Sequence, residues 1–270
     1  MKNVAVIGTS LIDILIGSET EIINGLCTPV QVRQVHGGSM RNVAWHCSQS
    51  GIPVTFISKF SQDEQGLALI NELQKAGCLV HGPVVDKPTP YFVHLQDPEK
   101  EFRLCSITED FRFHKETDLV PYCLIRDCEW GITDQKDSLF LNHLLGRCPQ
   151  TRWIFSGGIP YETALSHIEG ILVNRQEMEA YCQGTSMTEK ARQLIRKGVH
   201  WIIITLDKDG AILVTDKETV PYPALSEQKD SPGSGDAFAA GLLYGLVSGN
   251  SIRESIPVAL KKADLFLTNR

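Results

Sequence analysis

Residues 229–241 read KDSPGSGDAFAAG, with three small residues ahead of a carboxylate and an apolar run behind it. A helix N-terminus presents unpaired backbone N–H groups and the positive end of the helix dipole. Gly233 and Gly235 let the backbone come close to a ligand, and Ser234 is too small to obstruct it. The N–H groups of Gly233, Ser234 and Gly235 could therefore form an anion hole for a phosphate, or for charge developing on a phosphoryl group in transfer. Asp236 falls in the first turn, where the dipole keeps a carboxylate ionised and able to take a proton. The run AFAAGLLYGLV behind it would be a rigid, buried mount. An ordinary turn before a helix that opens with an acid gives the same pattern, so G-x-G-D alone is a weak signal.

Such a turn needs elements to hold it. The runs VAVIG (4–8), PVTFIS (53–58), WIFSG (153–157), GILVN (170–174) and WIIIT (201–205) are short and rich in β-branched residues, as strands buried on both faces are. Helical patterns lie between them. In 61–77, Leu67, Ile70 and Leu73 share a face and Gly77 can close the helix. In 186–198, Ser186 and Glu189 suit a capping box, Leu194 and Ile195 face inward and Gly198 ends the helix. This alternation predicts a single α/β domain over 1–270, a doubly wound and mainly parallel sheet with helices on both faces. Two stretches break the rhythm, at about 14–36 and 84–105, where Val30 and Val32, and Tyr91, Val93 and Leu95, alternate with their neighbours. They predict the strands of a small second sheet, placed to cover a ligand crevice as a lid. There is no internal repeat, low-complexity segment or linker.

Five segments, in order, carry a resemblance. DSPGSGDAF resembles the D-T-x-G-A-G-D signature of the ribokinase, or PfkB, family of sugar and nucleoside kinases, with Ser231 for Thr and Ser234 for Ala. HGGSMRNVAWHCSQSG (36–51) is similar to the family's Gly-Gly pair followed by Asn-x-Ala. VNRQEME (173–179) is similar to its N-x-x-E element, IITLDKDGAIL (203–213) to its T-L-G-x-x-G element, and VIGTSLIDIL (6–15) to its opening strand and following Asp. The resemblance implies a ribokinase-like fold and transfer of the γ-phosphoryl group of ATP, with Mg²⁺, to a hydroxyl of a sugar or nucleoside. It implies that Asp236 is the base and that Gly233, Ser234 and Gly235 form the anion hole. Asp13, Gly37, Gly38 and Asn42 would hold the acceptor. Asn174 and Glu177 would organise the phosphates and Mg²⁺, Glu177 through water, while Thr205 and Gly210 line the nucleotide site. No residue is assigned as a direct metal ligand.

Each assignment has a plainer reading: a loop acid for Asp13, a turn for Gly37 and Gly38, helix packing for Asn42, and a helix cap with an N3 acid for Asn174 and Glu177. Three departures from the family bear on ATP. Asp207 stands where T-L-G has Gly. RWIFSGGIP (152–160) offers Ser156 and Gly157 where Asp-Pro-Asn is usual. The stretch after Asp236, residues 237–270, is shorter than is common in the family. They motivate an alternative, a catalytically weakened relative that binds a sugar or nucleotide as a sensor. Arg41 before Asn42 resembles the Gly-Gly-x-x-Arg-Asn form of pseudouridine kinases. Of His36, His94 and His114, near the small sheet and the Gly-Gly turn, only His36 beside Gly37 stands out.

The composition narrows the classes. The chain has 270 residues, 42% of them hydrophobic, and 26 basic against 32 acidic side chains, a net charge of -6. That supports a sizeable core and lacks the basic footprint of a nucleic-acid binder. Eight cysteines are scattered, and no pair has C-x-x-C spacing. They read as reduced thiols of a cytoplasmic protein, and Cys123 with Cys128 has no close second pair to complete a metal site. The start MKNVAVIGTSLIDILIG reads as a first strand rather than a signal peptide, because Asp13 interrupts it. No apolar run is long enough to span a membrane. The expected partners are a small sugar or nucleoside, with no nucleic acid and no membrane, and a second copy of the chain joined through the lid.

Overall fold

The strands Asn3–Ile7 and Trp201–Thr205 are buried almost throughout, because helices cover both faces of the sheet they lie in. The computed structural model describes residues 3–115, 118–158, 163–181, 186–226 and 232–268; Cys182 and Ser231 lie outside them. The first half of the chain runs β1 (Asn3–Ile7), β2 (Leu11–Gly17), β3 (Gln31–Gly37), α1 (Ser39–Gln49), β4 (Val54–Ile57), β5 (Phe60–Ser61), α2 (Glu64–Lys75), β6 (Leu79–His81), β7 (Val84–Val85), β8 (Tyr91–Gln96) and β9 (Glu101–Cys105). It continues through α3 (Tyr122–Arg126), β10 (Cys128–Thr133), α4 (Ser138–Arg147), β11 (Arg152–Ser156), β12 (Ile168–Asn174), α5 (Arg175–Tyr181) and α6 (Met187–Arg196). It closes with β13 (Trp201–Thr205), β14 (Ala211–Thr215), β15 (Thr219–Tyr222), α7 (Ser234–Val247) and α8 (Ile252–Thr268).

The large sheet has the order β15-β14-β13-β12-β11-β10-β1-β4-β6. All its pairings are parallel except those of β14, which is antiparallel to β13 and β15. One core packs α1, α2, α7 and α8 on one face, and a second packs α3 to α6 on the other. The fold is the expected doubly wound α/β architecture. The chain winds outward from β1 through β4 to β6, then returns to β10 and winds the other way. Strands β1 and β10 therefore flank the point where the order reverses, and ligands of such sheets bind beyond the carboxyl ends of the strands there.

The small sheet has the order β3-β2-β8-β9. Its strands lie within and beside the two stretches expected, with two differences. β2 starts at Leu11, so Asp13 sits in a strand rather than a loop. Residues Val84–Val85 pair with Phe60–Ser61 in a separate two-stranded sheet. β10 was not foreseen, because Glu129 and Gly131 break its apolar run. Gly131 is required there, since a Cβ would strike the Trp153 ring. In α2, Leu73 and Leu69 are buried while Leu67 is 52% exposed, so the core face is rotated from the one expected. Asp63 caps that helix by accepting from the Gly66 N–H at 2.8 Å. The cap of α6 is as expected, with Ser186 Oγ accepting from the Glu189 N–H at 3.2 Å.

All seven described cysteines are free thiols; Cys123 is exposed and Cys128 buried. Among the described residues no helix is long and apolar enough to cross a membrane.

Candidate active site

Helix α7 begins where the sequence places the Gly-Ser-Gly-Asp turn. Gly233 is its N-cap in the left-handed region, at φ 98°, and a Cβ there would meet the Phe266 ring at 2.9 Å. Ser234 is buried in the first turn. Gly235 faces open space, with nothing within 4 Å of where a Cβ would stand. Gly233, Ser234, Gly235 and Asp236 line a cleft of about 950 Å³.

Two side chains of α1 hold the Asp236 carboxylate. Ser39 Oγ donates to Oδ1 at 2.5 Å, and Asn42 Nδ2 donates to Oδ2 at 2.9 Å. Burial raises the pKa of this carboxyl, and these hydrogen bonds together with the charge of Arg41 restrain the rise. A carboxylate with a raised pKa that is kept oriented is a stronger base than an ordinary aspartate.

Glycine is required at both positions of the Gly-Gly pair. A Cβ on Gly37 would run into the Asp13 carboxylate, and Gly38, at φ 98°, lies against the Thr9 carbonyl. Asp13, Gly37, Gly38, Asn42 and Asp236 thus gather at the carboxyl end of β1. Asp134, just past β10, was missed from the sequence because its strand was missed. It lies beside Gly8 and Met40. Burial pushes its carboxyl up to about 6, and the negative charge of Asp236 adds to the rise against a hydrogen bond from Gln135.

The four residues expected on the nucleotide side are arranged differently. Asn174 and Glu177 form a reciprocal capping box: the Asn174 N–H donates to Glu177 Oε2 at 3.0 Å, and the Glu177 N–H donates to Asn174 Oδ1 at 2.8 Å. Asn174 lines the cleft, and Glu177 is turned toward Gly157. Thr205 and Gly210 line the cleft as well. Gly210, at φ 92°, has no room for a side chain against the Tyr222 carbonyl. Asp207 also lines the cleft, and among the described residues it is the only non-glycine with positive φ, at 53°. The backbone bend that favours Gly is therefore present, and Asp is among the few side chains that tolerate it.

The small sheet closes the opposite wall. In register, Leu15, Arg33, His94 and Arg103 form one cross-strand row, and Gly17, Gln31, Gln96 and Glu101 the next, all lining the cleft. His36 points the other way, to Glu72 of α2. His114 lies 3.4 Å from Asp137.

Residues 159–270 match the sequence profile described as "pfkB family carbohydrate kinase". A guanosine-inosine kinase from Exiguobacterium acetylicum is 23% identical over 97% of this chain and 93% of its own length. The fructoselysine 6-kinase of Escherichia coli K12 is 23% identical over 95% and 94%. Among solved structures, ribokinase from Thermotoga maritima superposes with a TM-score of 0.82 at 17% identity, covering 99% of this chain and 93% of that one. Arabidopsis thaliana ribokinase complexed with ribose and ATP gives 0.80 at 18%, again over 99% and 93%. The profile match lies in the C-terminal part of the chain, and the superpositions show a ribokinase-like fold over its whole length. The PfkB profile covers the Gly-Ser-Gly-Asp turn and α7, and the superpositions extend the family fold across the small sheet and the Gly-Gly turn.

Proposed function

We propose that this protein is a PfkB-type kinase that transfers the γ-phosphoryl group of ATP to a hydroxyl of an unphosphorylated sugar or nucleoside. The observation that carries the reading is the Asp236 carboxylate, held by Ser39 and Asn42 beside the open turn of Gly233–Gly235 at the cleft. The acceptor hydroxyl donates its hydrogen bond to Asp236, and its oxygen attacks the γ-phosphorus as the bond to the β–γ bridging oxygen breaks. Asp236 takes the proton, the phosphoryl group joins the acceptor and ADP leaves. The N–H groups of Gly233, Ser234 and Gly235 stabilise the charge on the phosphoryl oxygens during transfer.

We assign Asp13, Asp134 and Asp236 to the acceptor end, Asp236 being the one of the three that lines the cleft, and acceptor-only groups suit the donor hydroxyls of a polyol. They would repel an acceptor that already carried phosphate. Arg41, which carried the pseudouridine resemblance, is turned to Glu72 and does not line the cleft. Pseudouridine remains in the acceptor panel on the motif alone.

Mg²⁺ is expected to arrive on the nucleotide phosphates. No cluster of three ligating side chains lies among the described residues, and Mg²⁺ commonly takes one or two carboxylates, several waters and the phosphates of its substrate. Glu177 is the carboxylate assigned here to join it through water. When bound, the ion would neutralise charge on the β- and γ-phosphates.

A sensor function draws on Asp207, a carboxylate in the nucleotide half of the cleft. The hydrogen-bonded Asp236 favours the kinase, since a binding module has no use for a held base. The test is ADP release from ATP and Mg²⁺ across pentoses, hexoses and nucleosides, pseudouridine included. Turnover on an unphosphorylated acceptor is expected. Silence across the panel, with thermal stabilisation by ligand, would replace the kinase with the sensor.

A further inference from the structure

Behind Asp236 a chain of polar contacts runs away from the cleft. Asn42 Nδ2 donates to Asp236 Oδ2 at 2.9 Å, and Asn42 Oδ1 accepts from Arg41 Nη1 at 3.1 Å. The other terminal nitrogen of Arg41 pairs with Oε2 of Glu72 on α2, the same oxygen that His36 of β3 contacts through Nδ1. Arg41 is 5% exposed, and neither it nor Glu72 lines the cleft. Burial opposes ionisation of Glu72, yet the contacts from His36 and Arg41 outweigh it and hold the carboxyl below its ordinary range.

The chain has a direction. A side-chain amide fits its site in two orientations that differ by exchange of oxygen and nitrogen. A guanidinium can only donate and an ionised carboxylate can only accept. With Arg41 at one end of the Asn42 amide and Asp236 at the other, one orientation satisfies both neighbours. The reverse would set the amide oxygen against Asp236 Oδ2 and the NH₂ against Arg41. Both mismatches would be partly buried, where they are costly.

We infer that Arg41, seated by Glu72, is a positioning residue for the base: it fixes the Asn42 amide so that Asn42 donates to Asp236 and turns that carboxylate toward the acceptor. The inference rests on the reading of Asp236 as the base. It gives Asn42 a task that the family resemblance did not imply, since one donor and one acceptor site of its amide are already engaged within the protein. It also gives His36 a place, because the strand of the small sheet that enters the Gly-Gly turn is anchored on the carboxylate that seats Arg41. The charged groups bearing on Asp236 are Arg41 from α1 and Asp134 after β10, while Asp13 of β2 acts on Arg41.

The test compares Arg41→Met and Arg41→Lys with the parent protein in two measurements. The first needs no activity: NMR of the ligand-free protein follows the Asn42 side-chain amide protons and the Asp236 carboxyl carbon, assigned with Asn42→Asp and Asp236→Asn. In the parent, the Asn42 amide should exchange slowly with solvent. In both variants that protection should be lost, and in Arg41→Met the Asp236 titration midpoint should move up. The second measurement is turnover with ATP and whichever acceptor of the panel is phosphorylated. Both variants should lose about tenfold or more in kcat, while KM for ATP changes by less than about threefold. Arg41→Lys is decisive, because it keeps the charge and can pair with Glu72 but lacks the planar fork that spans Glu72 and Asn42. Parent-like amide protection and parent-like kcat in Arg41→Lys would overturn the inference and leave Arg41 as a buried counter-charge. If no acceptor is turned over by the parent protein, the proposed function fails, and the NMR arm still decides the positioning claim. If Arg41→Met does not fold, Arg41→Lys carries both arms.

Discussion

Asp134 and Asp207 are two acids that the fold tolerates at a cost. The Asp134 carboxyl has its pKa raised to about 6, with burial the main cause. A group whose folded pKa lies above its unfolded value contributes stability below the unfolded pKa, and that contribution is lost as pH rises through the folded one. For Asp134 the loss falls between about pH 4 and pH 6, and above that window the ionised carboxylate weakens the fold. Asp134→Asn should therefore stabilise the protein by about 1–3 kcal/mol at about pH 8 and by much less at about pH 5. Denaturant unfolding at the two pH values checks this, and a gain equal at both would show that Asp134 is not buried as an acid. Asp207 holds a glycine-like backbone bend and lines the cleft in the half proposed to take the nucleotide. Asp207→Gly should lower KM for ATP by about threefold or more, because it removes a like charge from the triphosphate. An unchanged KM would mean that the carboxylate is carried clear of the phosphates.

At the scale of elements, the N-terminus of α7 is the most demanding position. Gly233→Ala would force a side chain into the left-handed region at φ 98° and against the Phe266 ring. A loss of about 1–3 kcal/mol in stability is expected from thermal or urea unfolding, together with a fall in kcat as the turn shifts. Parent-like stability and kcat would show that the turn adapts. The lesson about reading the sequence lies at this scale too. The turn before α7, the caps Ser186 and Asn174, and the alternating strands of the small sheet were legible because each depends on local chemistry: glycine dihedrals, side-chain to backbone bonds and two-residue periodicity. β10 was not legible, because its burial is set by neighbours far along the chain. Gly131 makes room for Trp153, and no short-range pattern announces that. Asp134 was lost with it. The roles of Ser39, Arg41 and Glu72 were also beyond local reading, since they have partners 197, 31 and 36 positions away and only the fold joins these links into one chain.

For the whole molecule, the reversal of strand order between β1 and β10 decides where chemistry can occur, and the small sheet covers that place with its polar face. Its other side is mainly apolar: Ile14, Val93 and Leu104 share a row with Gln34, and Ile16, Val32, Leu95 and Phe102 form the next, with Ile16 and Val32 also reaching the cleft. Val32 is 59% exposed, Phe102 46% and Leu104 59%. Exposed apolar patches of this kind commonly mark an interface, and the proposed occupant is the same face of a second copy. Sedimentation should give a dimer for the parent protein and a monomer for Leu104→Glu, whereas a monomeric parent would remove the proposal. The central claim is that Asp236 is the base of a phosphoryl transfer, and one comparison tests it most directly. For Asp236→Asn, turnover on the acceptor found by the panel and affinity for ATP with Mg²⁺ are measured side by side with the parent protein. The account predicts a loss of about 10²–10⁴ in kcat with ATP affinity within about threefold of the parent. Turnover that survives the substitution would contradict it.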